Sequence, residues 1–224
     1  MQPFTSHPGT DWVLVTGQPG CGKTTAVKTV VGELRASGAS VRGFYTDEVL
    51  SGGRRIGFDI VAVPDGRRGP LARKGAPGPK VGQYGVDVEG FERLALPAFE
   101  WRLDEPHDND TIYVLDEIGR MELKSEAFAK RVEELLARGV RLVGAITAPI
   151  YGHRVAFCDR VSETRGVAVH KLTSKTRDGV TAELRESLVR WDRFADQRFG
   201  ESEEDEDGNV TFPVAPTSGK RKRK

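Results

Sequence analysis

The chain has 224 residues, with 34 Lys and Arg against 33 Asp and Glu, and two cysteines. A near-neutral body leaves no basic footprint for nucleic acid, two cysteines make no disulfide framework, and no apolar run approaches the ~18 residues of a membrane span. The length predicts one α/β domain with a tail, soluble and intracellular in a reducing compartment.

Residues 1–10, with Pro3, Pro8 and Gly9, read as a flexible leader. Residues 12–16 predict a buried strand, and residues 24–37 a helix with Ala26, Val27, Val30, Val31 and Leu34 on one face. Gly38 is placed to stop it. Between strand and helix stands Gly17-Gln18-Pro19-Gly20-Cys21-Gly22-Lys23-Thr24-Thr25, which has the spacing Gly, four residues, Gly-Lys-Thr in a strand-loop-helix context. Glycines at this spacing let the chain curl so that successive N–H groups point at an anion, and the positive end of the next helix faces the same point. Lys23 supplies a cation for the outer phosphates, and the Thr24 hydroxyl a ligand for Mg²⁺. An ordinary glycine turn capping a helix is the plainer alternative. Cys21 has no base paired with it in sequence, so its backbone N–H counts for more than its thiol.

Two β-rich runs, 41–49 and 56–63, flank Gly52-Gly53 and predict an antiparallel hairpin. Residues 64–80 are rich in Pro, Gly and Arg and read as a mobile basic loop. Arg54, Arg55, Arg67, Arg68 and Arg73 are expected to be solvated, or one of them to reach a triphosphate. A short strand is expected over 83–88 and a helix over 91–101, interrupted near Pro97. Residues 104–110 form a polar loop.

Thr111 to Leu115 is a continuous apolar run, as a central parallel strand requires. It ends in Asp116-Glu117-Ile118-Gly119-Arg120-Met121-Glu122. An acid closing such a strand holds Mg²⁺ opposite the loop Thr, and an adjacent acid can orient or deprotonate the attacking water. Asp116 and Glu117 are the candidates for these two roles; two exposed acids capping a loop is the alternative. Residues 125–138 predict an amphipathic helix with Phe128, Val132, Leu135 and Leu136 inward, stopped by Gly139. Residues 140–146 predict another buried strand, ending in Thr147, which either senses the γ-phosphate or caps the next segment. A helix over 153–163, a strand over 167–170 and a helix over 178–195 complete the body. Domain bounds of 11–199 follow, with 200–224 a disordered tail, acidic then basic. Alternating strands and helices define a three-layer α/β phosphate-binding-loop core with an added antiparallel β-hairpin.

Asp116-Glu117-Ile118-Gly119 also fits the Asp-x-x-Gly of switch GTPases, but Lys175-Thr176-Arg177-Asp178 carries one residue too many for their guanine-reading segment. His153 and His170 lack metal-ligand spacing. Lys220-Arg221-Lys222-Arg223-Lys224 reads either as a nuclear address or as a solvated tail beside its own acidic run.

Gly17–Thr25, Gly43-Phe44-Tyr45-Thr46-Asp47-Glu48-Val49, Arg54–Asp59, Val81–Tyr84 and Leu115–Glu122 together resemble the THEP1 nucleoside-triphosphatase family, over about residues 10–192. The resemblance implies a RecA-like core and slow, Mg²⁺-dependent hydrolysis of ATP, GTP, CTP and UTP; a cytoplasmic monomer is expected. The family's two nucleotide-contacting stretches map onto Gly17, Gln18, Pro19, Gly20, Cys21, Gly22, Lys23, Thr24 and Thr25, and onto Leu115, Asp116, Glu117, Ile118, Gly119, Arg120 and Met121. Arg120 keeps the charge of the Lys that many members carry. Two other readings use the same core: a nucleoside or nucleotide kinase with 64–80 as its lid, and a nucleotide-gated interaction module.

Overall fold

A computed structural model of the chain describes residues 2, 4, 11–100, 111–149, 154–173, 175–176, 179–187, 203–204 and 210–211. They fall into two units, Met1–Leu184 and Arg185–Lys224. In the second, Glu203–Glu204 pairs antiparallel with Val210–Thr211. Much of the expected tail, His153 and residues 102–110 lie outside the described residues.

The first unit is built on a sheet of nine strands: β1 (Asp11–Thr16), β2 (Val41–Ser51), β3 (Arg54–Val63), β4 (Arg68–Lys74), β5 (Lys80–Val81), β6 (Tyr84–Val86), β7 (Ile112–Ile118), β8 (Arg141–Ile146) and β9 (Val167–Lys171). Their order is β5-β6-β4-β3-β2-β7-β8-β1-β9. From β2 to β9 the neighbours run parallel; from β2 to β5 they run antiparallel. β2 therefore belongs to both halves, pairing with β7 on one side and turning through Gly52-Gly53 into β3 on the other.

Alternate residues of the central strands point to opposite faces. Trp12, Leu14, Phe44, Tyr113, Leu115 and Leu142 face one core, shared with α2 (Val88–Ala95), α3 (Glu126–Arg138) and α4 (Ala156–Ser162). The other face meets α1 (Lys23–Ala36), whose Ala26, Val27, Val30 and Val31 are buried against β1, β2, β7 and β8. Helices on both faces of the sheet make three layers.

Local chemistry sets the helix ends. α1 stops in a Schellman motif: Gly38 at φ 88° donates to Arg35 O, and Ala39 donates to Leu34 O. Ser125 caps α3 by accepting from Phe128 N at 2.9 Å, while its own hydroxyl donates to Glu92 Oε1 on α2. Gly139, at φ 68°, ends α3 as expected. The predicted helix over 91–101 begins earlier, at Val88 behind the Asp87 cap, and gives way to a 3-10 turn at Leu96–Phe99 where Pro97 enters.

The expectation of a mobile basic loop over 64–80 is overturned. Residues 68–74 form β4, with Leu71 and Ala72 each 1% exposed, and β4 pairs with β3 and β6. Four of the five arginines pair with acids of the protein. Arg68 meets Asp47 and Asp59, Arg73 meets Asp59, Arg67 meets Asp65, and Arg55 meets Glu48. Arg68 and Arg73 hold the Asp59 carboxyl below its usual range against the opposing effect of burial, the largest single influence on it. No segment in 64–80 is built as a kinase lid.

The core is organised around Phe44 on β2. Its ring meets Phe91 of α2 at 5.5 Å, Phe128 of α3 at 5.7 Å and Phe99 of the 3-10 turn at 6.2 Å. In the sheet Phe44 lies beside Leu115, and the next pair along is Tyr45 with Asp116. One aromatic cluster thus fixes the strand ends that carry the candidate site. Phe44→Ala should cost about 3–5 kcal/mol of unfolding free energy, measured by denaturant titration. Leu50→Ala, at a side chain 59% exposed, should shift it by less than about 0.5 kcal/mol.

Candidate functional site

β1 delivers the chain to Gly17, and the curl that follows needs glycine for two separate reasons. A Cβ at Gly17 would lie 2.3 Å from Leu172 O, a contact no side chain tolerates. Gly20 and Gly22 sit at φ 76° and 102°, in the region that L side chains avoid. Gly22 caps α1 with no side-chain hydrogen bond, and no acid occupies the first turn. The N-terminal end of a 14-residue helix therefore keeps its positive field for an external anion. Gln18, Pro19 and Gly20 are exposed, as is Thr25, whereas Cys21, Gly22, Lys23 and Thr24 are half-buried. The Cys21 N–H, expected to point at an anion, closes a turn onto Gln18 O at 3.2 Å.

The order β2-β7-β8-β1 separates the strand carrying the loop from the strand carrying the acids by one strand, β8. Carboxyl ends of parallel strands converge on one edge, so Asp116 and Glu117 of β7, Thr147 beyond β8 and Lys23 beyond β1 meet there. Lys23 Nζ donates to Gly17 O at 3.2 Å and stands 3.4 Å from Glu117 Oε2. The Thr147 hydroxyl donates to Glu117 Oε1 at 2.7 Å. Glu117 is thus gripped at both oxygens, by a cation on one and a hydroxyl on the other. Thr147 holds a neighbouring acid rather than capping a helix.

Asp116 is 0% exposed, and neither of its carboxyl oxygens has a hydrogen-bond partner. Burial pushes its pKa up to about 7; the negative charge of Glu117 adds to this, while the Thr24 side chain, the Thr46 N–H and Lys23 oppose it. The Thr24 side chain and the Thr46 N–H lie near enough to favour the ionised form, though neither meets strict hydrogen-bond geometry. The Asp116–Glu117 peptide is cis.

A third carboxyl completes the cluster. Glu122, in a 3-10 turn over Glu122–Lys124, is 3% exposed, and burial with the charges of Glu117 and Asp116 raises its pKa well above the ordinary value. The position a Gly119 Cβ would take lies 2.8 Å from Glu117 Oε1, 2.8 Å from Glu122 Oε2 and 2.9 Å from Thr147 Oγ1. Gly119 is glycine because three oxygens already surround that point. Behind them, Cys158 donates to Ile118 O at 3.3 Å, and burial pushes its thiol up to about 12.

The sequence-predicted residues divide accordingly. Lys23, Thr24, Asp116, Glu117 and Gly119 come together. Leu115 and Ile118 are 0% exposed with their side chains in the apolar core, so any nucleotide contact there runs through backbone. Met121 packs against the same core, and Arg120 is exposed. Glu122 and Thr46 were assigned no role from sequence. Glu122 stands six residues past Asp116 in a turn with no hydrophobic period, and Thr46 acts through its backbone.

The two orphaned oxygens of Asp116, beside two further carboxyls and one lysine, are the donor chemistry of a hard divalent cation. Among the described residues no group of three or more His, Cys, Asp or Glu is arranged to hold a metal alone.

Glycine loop, capless helix start and strand-end acids one strand away define the three-layer α/β phosphate-binding-loop class. A family model described as NTPase matches residues 12–185. The chain is 39% identical to the cancer-related nucleoside-triphosphatase of Homo sapiens over 179 residues, 77% of this chain and 93% of that one. It is 43% identical to the nucleoside-triphosphatase THEP1 of Methanothermobacter thermautotrophicus over 134 residues, covering 60% of this chain and 75% of the relative. The solution structure of a human cancer-related nucleoside triphosphatase superposes with TM-score 0.68 at 38% identity, covering 80% of this chain and 97% of that one. The crystal structure of THEP1 from Aquifex aeolicus gives 0.67 at 32% identity, covering 77% and 96%. The chain belongs to this NTPase family.

Glu122 holds its proton more tightly in the folded protein than in the unfolded chain. Its contribution to stability is therefore full below pH ~4.5 and is lost as pH rises through the higher folded value. With nucleotide and divalent ions removed, Glu122→Gln should raise Tm relative to the parent, by an increment that grows between pH 5 and pH 8 in calorimetry. A constant increment would show that Glu122 is not protonated by its surroundings.

Proposed function

We propose that the protein is a nucleoside-triphosphatase that hydrolyses ATP, GTP, CTP and UTP to diphosphate and phosphate, slowly and with little preference for the base. The observation that carries this reading is the grip on Glu117, between Thr147 at 2.7 Å and Lys23 at 3.4 Å, at the mouth of the glycine loop. The names of the relatives support it, since those proteins are called nucleoside-triphosphatases.

Gly17 to Thr25 wrap the phosphates with backbone N–H groups and the field of α1. Lys23 leaves Glu117 for the outer phosphates, where its charge offsets the charge that develops as the γ-phosphoryl group departs. Freed from Lys23 but still held by Thr147, Glu117 accepts a proton from water aligned with the γ-phosphorus. The water oxygen bonds to phosphorus, the bond to the bridging oxygen breaks, and that oxygen leaves on the diphosphate. Mg²⁺, held by the Thr24 hydroxyl and Asp116, would neutralise the β- and γ-phosphate oxygens. Gly119 leaves room for the three oxygens around it, and Glu122 shapes that space without touching substrate.

No helix among the described residues is long and apolar enough to cross a membrane. We place the enzyme in the cytoplasm as a monomer; an additional nuclear location rests on the basic residues 220–224 alone. Transfer to a nucleoside acceptor is disfavoured, because the segment expected to supply a lid is strand β4.

Glu117→Gln keeps the shape and the Thr147 contact but removes the proton acceptor. It should bind ATP within about threefold of the parent by calorimetry, while kcat falls by about 10²–10⁴. Lys23→Ala should lose both binding and turnover. Phosphate release from Glu117→Gln at the parental rate would remove Glu117 from the mechanism.

A further inference from the structure

The antiparallel half of the sheet reaches the candidate site through one side chain, Asp47. It lies on β2, two residues past Tyr45, which is the partner of Asp116 in the sheet. Residues two apart on a strand share a face, and Tyr45 and Asp47 both lie on the face that α1 covers. The Thr46 N–H, between them, lies near Asp116 and favours its ionised form.

Lys28 reaches this strand end from α1. It stands four residues after Thr24, one turn along the same helix face. Its ammonium lies over the Tyr45 ring, 4.1 Å from the centroid, and donates to Asp47 Oδ1. One helix face thus sends Thr24 towards Asp116 and Lys28 to the two residues that flank Thr46.

Asp47 is held from the other side as well. Its Oδ2 accepts from Arg68 Nη1 of β4 at 3.1 Å, and Arg68 Nε donates to Asp59 Oδ2 at 2.6 Å. Arg73 donates to the other Asp59 oxygen and, at 2.6 Å, to Phe58 O. A chain of ion pairs therefore runs Lys28–Asp47–Arg68–Asp59–Arg73, from α1 across the end of β2 to β4 and β3. Partly exposed ion pairs add little to stability. What this chain fixes is position, because Asp47 carries a cation on each oxygen and one of them stands on the helix that begins at the glycine loop.

We propose that Lys28 and Asp47 are positioning residues for the divalent cation, their contact setting the span between the Thr24 hydroxyl on α1 and Asp116 on β7. The inference rests on the triphosphatase reading of the site and assigns a task to two side chains outside the glycine loop and the strand-end acids. Neither touches cation or nucleotide. Lys28 acts through α1, and Asp47 through β2. Loss of a contact that supports metal ligands costs about 10–100-fold in metal affinity, and one acting through backbone belongs at the lower end.

The test uses the full chain with ADP as the probe, once in EDTA and once with Mn²⁺ in place of Mg²⁺. The ratio of the two ADP dissociation constants, from calorimetry, reads the cation's share of binding. Lys28→Met and Asp47→Asn should each lower that ratio about tenfold, with the constant in EDTA within about twofold of the parent. The double variant should fall no further than either single one, since each removes the same contact. Lys28→Arg should keep the parental ratio within about twofold, because a guanidinium also pairs with a carboxylate and stacks on a ring. A parental ratio in both Lys28→Met and Asp47→Asn overturns the proposal even if Tm falls, because a contact that only staples helix to strand moves Tm alone. Equal weakening in EDTA and Mn²⁺ overturns it too, since the pair would then shape the phosphate loop. A protein that shows the predicted ratios yet releases no phosphate from ATP would overturn the triphosphatase reading and leave the positioning pair standing.

Discussion

A carboxylate buried without a partner in hydrogen-bond geometry is expensive, and at Asp116 that cost shows as a pKa pushed up to about 7. Neighbouring acids raise the cost. Glu117 and Glu122 crowd the same end of β7, and Lys23 is the lysine that acts on Asp116 there. The fold holds this arrangement because Asp116 follows directly on the Phe44–Leu115 pair, one residue beyond the aromatic cluster. Core packing fixes the strand, and the strand presents a buried acid that, in the proposed mechanism, a cation and its phosphates satisfy. In the proposed mechanism, stability is given up at the place where charge neutralisation is later needed.

The same economy explains the resting contact between Lys23 and Glu117. The two stand 3.4 Å apart, and the proposed mechanism gives each a different task once a triphosphate enters. The proposed exchange of partners couples occupation of the glycine loop to release of the proton acceptor. Thr147 keeps Glu117 in place through that exchange, because its hydroxyl bonds the oxygen that Lys23 does not face. On the opposite side of β1, the Leu172 carbonyl oxygen fills the space that a Cβ at Gly17 would take.

Much of this was legible in the residues. The apolar run into Asp116, the helical spacing of Phe128, Val132, Leu135 and Leu136, and the stops at Gly38 and Gly139 are local signals, and the structure places them where the periodicity does. The glycine loop is legible because its chemistry demands a fixed spacing. What failed to show was non-local. Residues 68–74 look like a loop because Gly69, Pro70 and three basic residues outnumber Leu71 and Ala72; the strand forms where its backbone pairs with β3 and β6, and Asp47 on β2 and Asp59 on β3 receive Arg68 and Arg73. The Thr147–Glu117 bond joins residues 30 apart, and Glu122 reaches the site through a turn whose sequence carries no period. Pairings of this kind are set by the assembled sheet order, which composition and spacing do not encode.

The most direct test of the account follows the γ-phosphate. The purified full chain is incubated with γ-labelled ATP and Mg²⁺, with and without a panel of nucleosides and nucleoside monophosphates. The account predicts that all label leaves as free inorganic phosphate, at a rate the acceptors do not change. Label appearing on a nucleoside or a monophosphate would contradict it and make the protein a phosphotransferase.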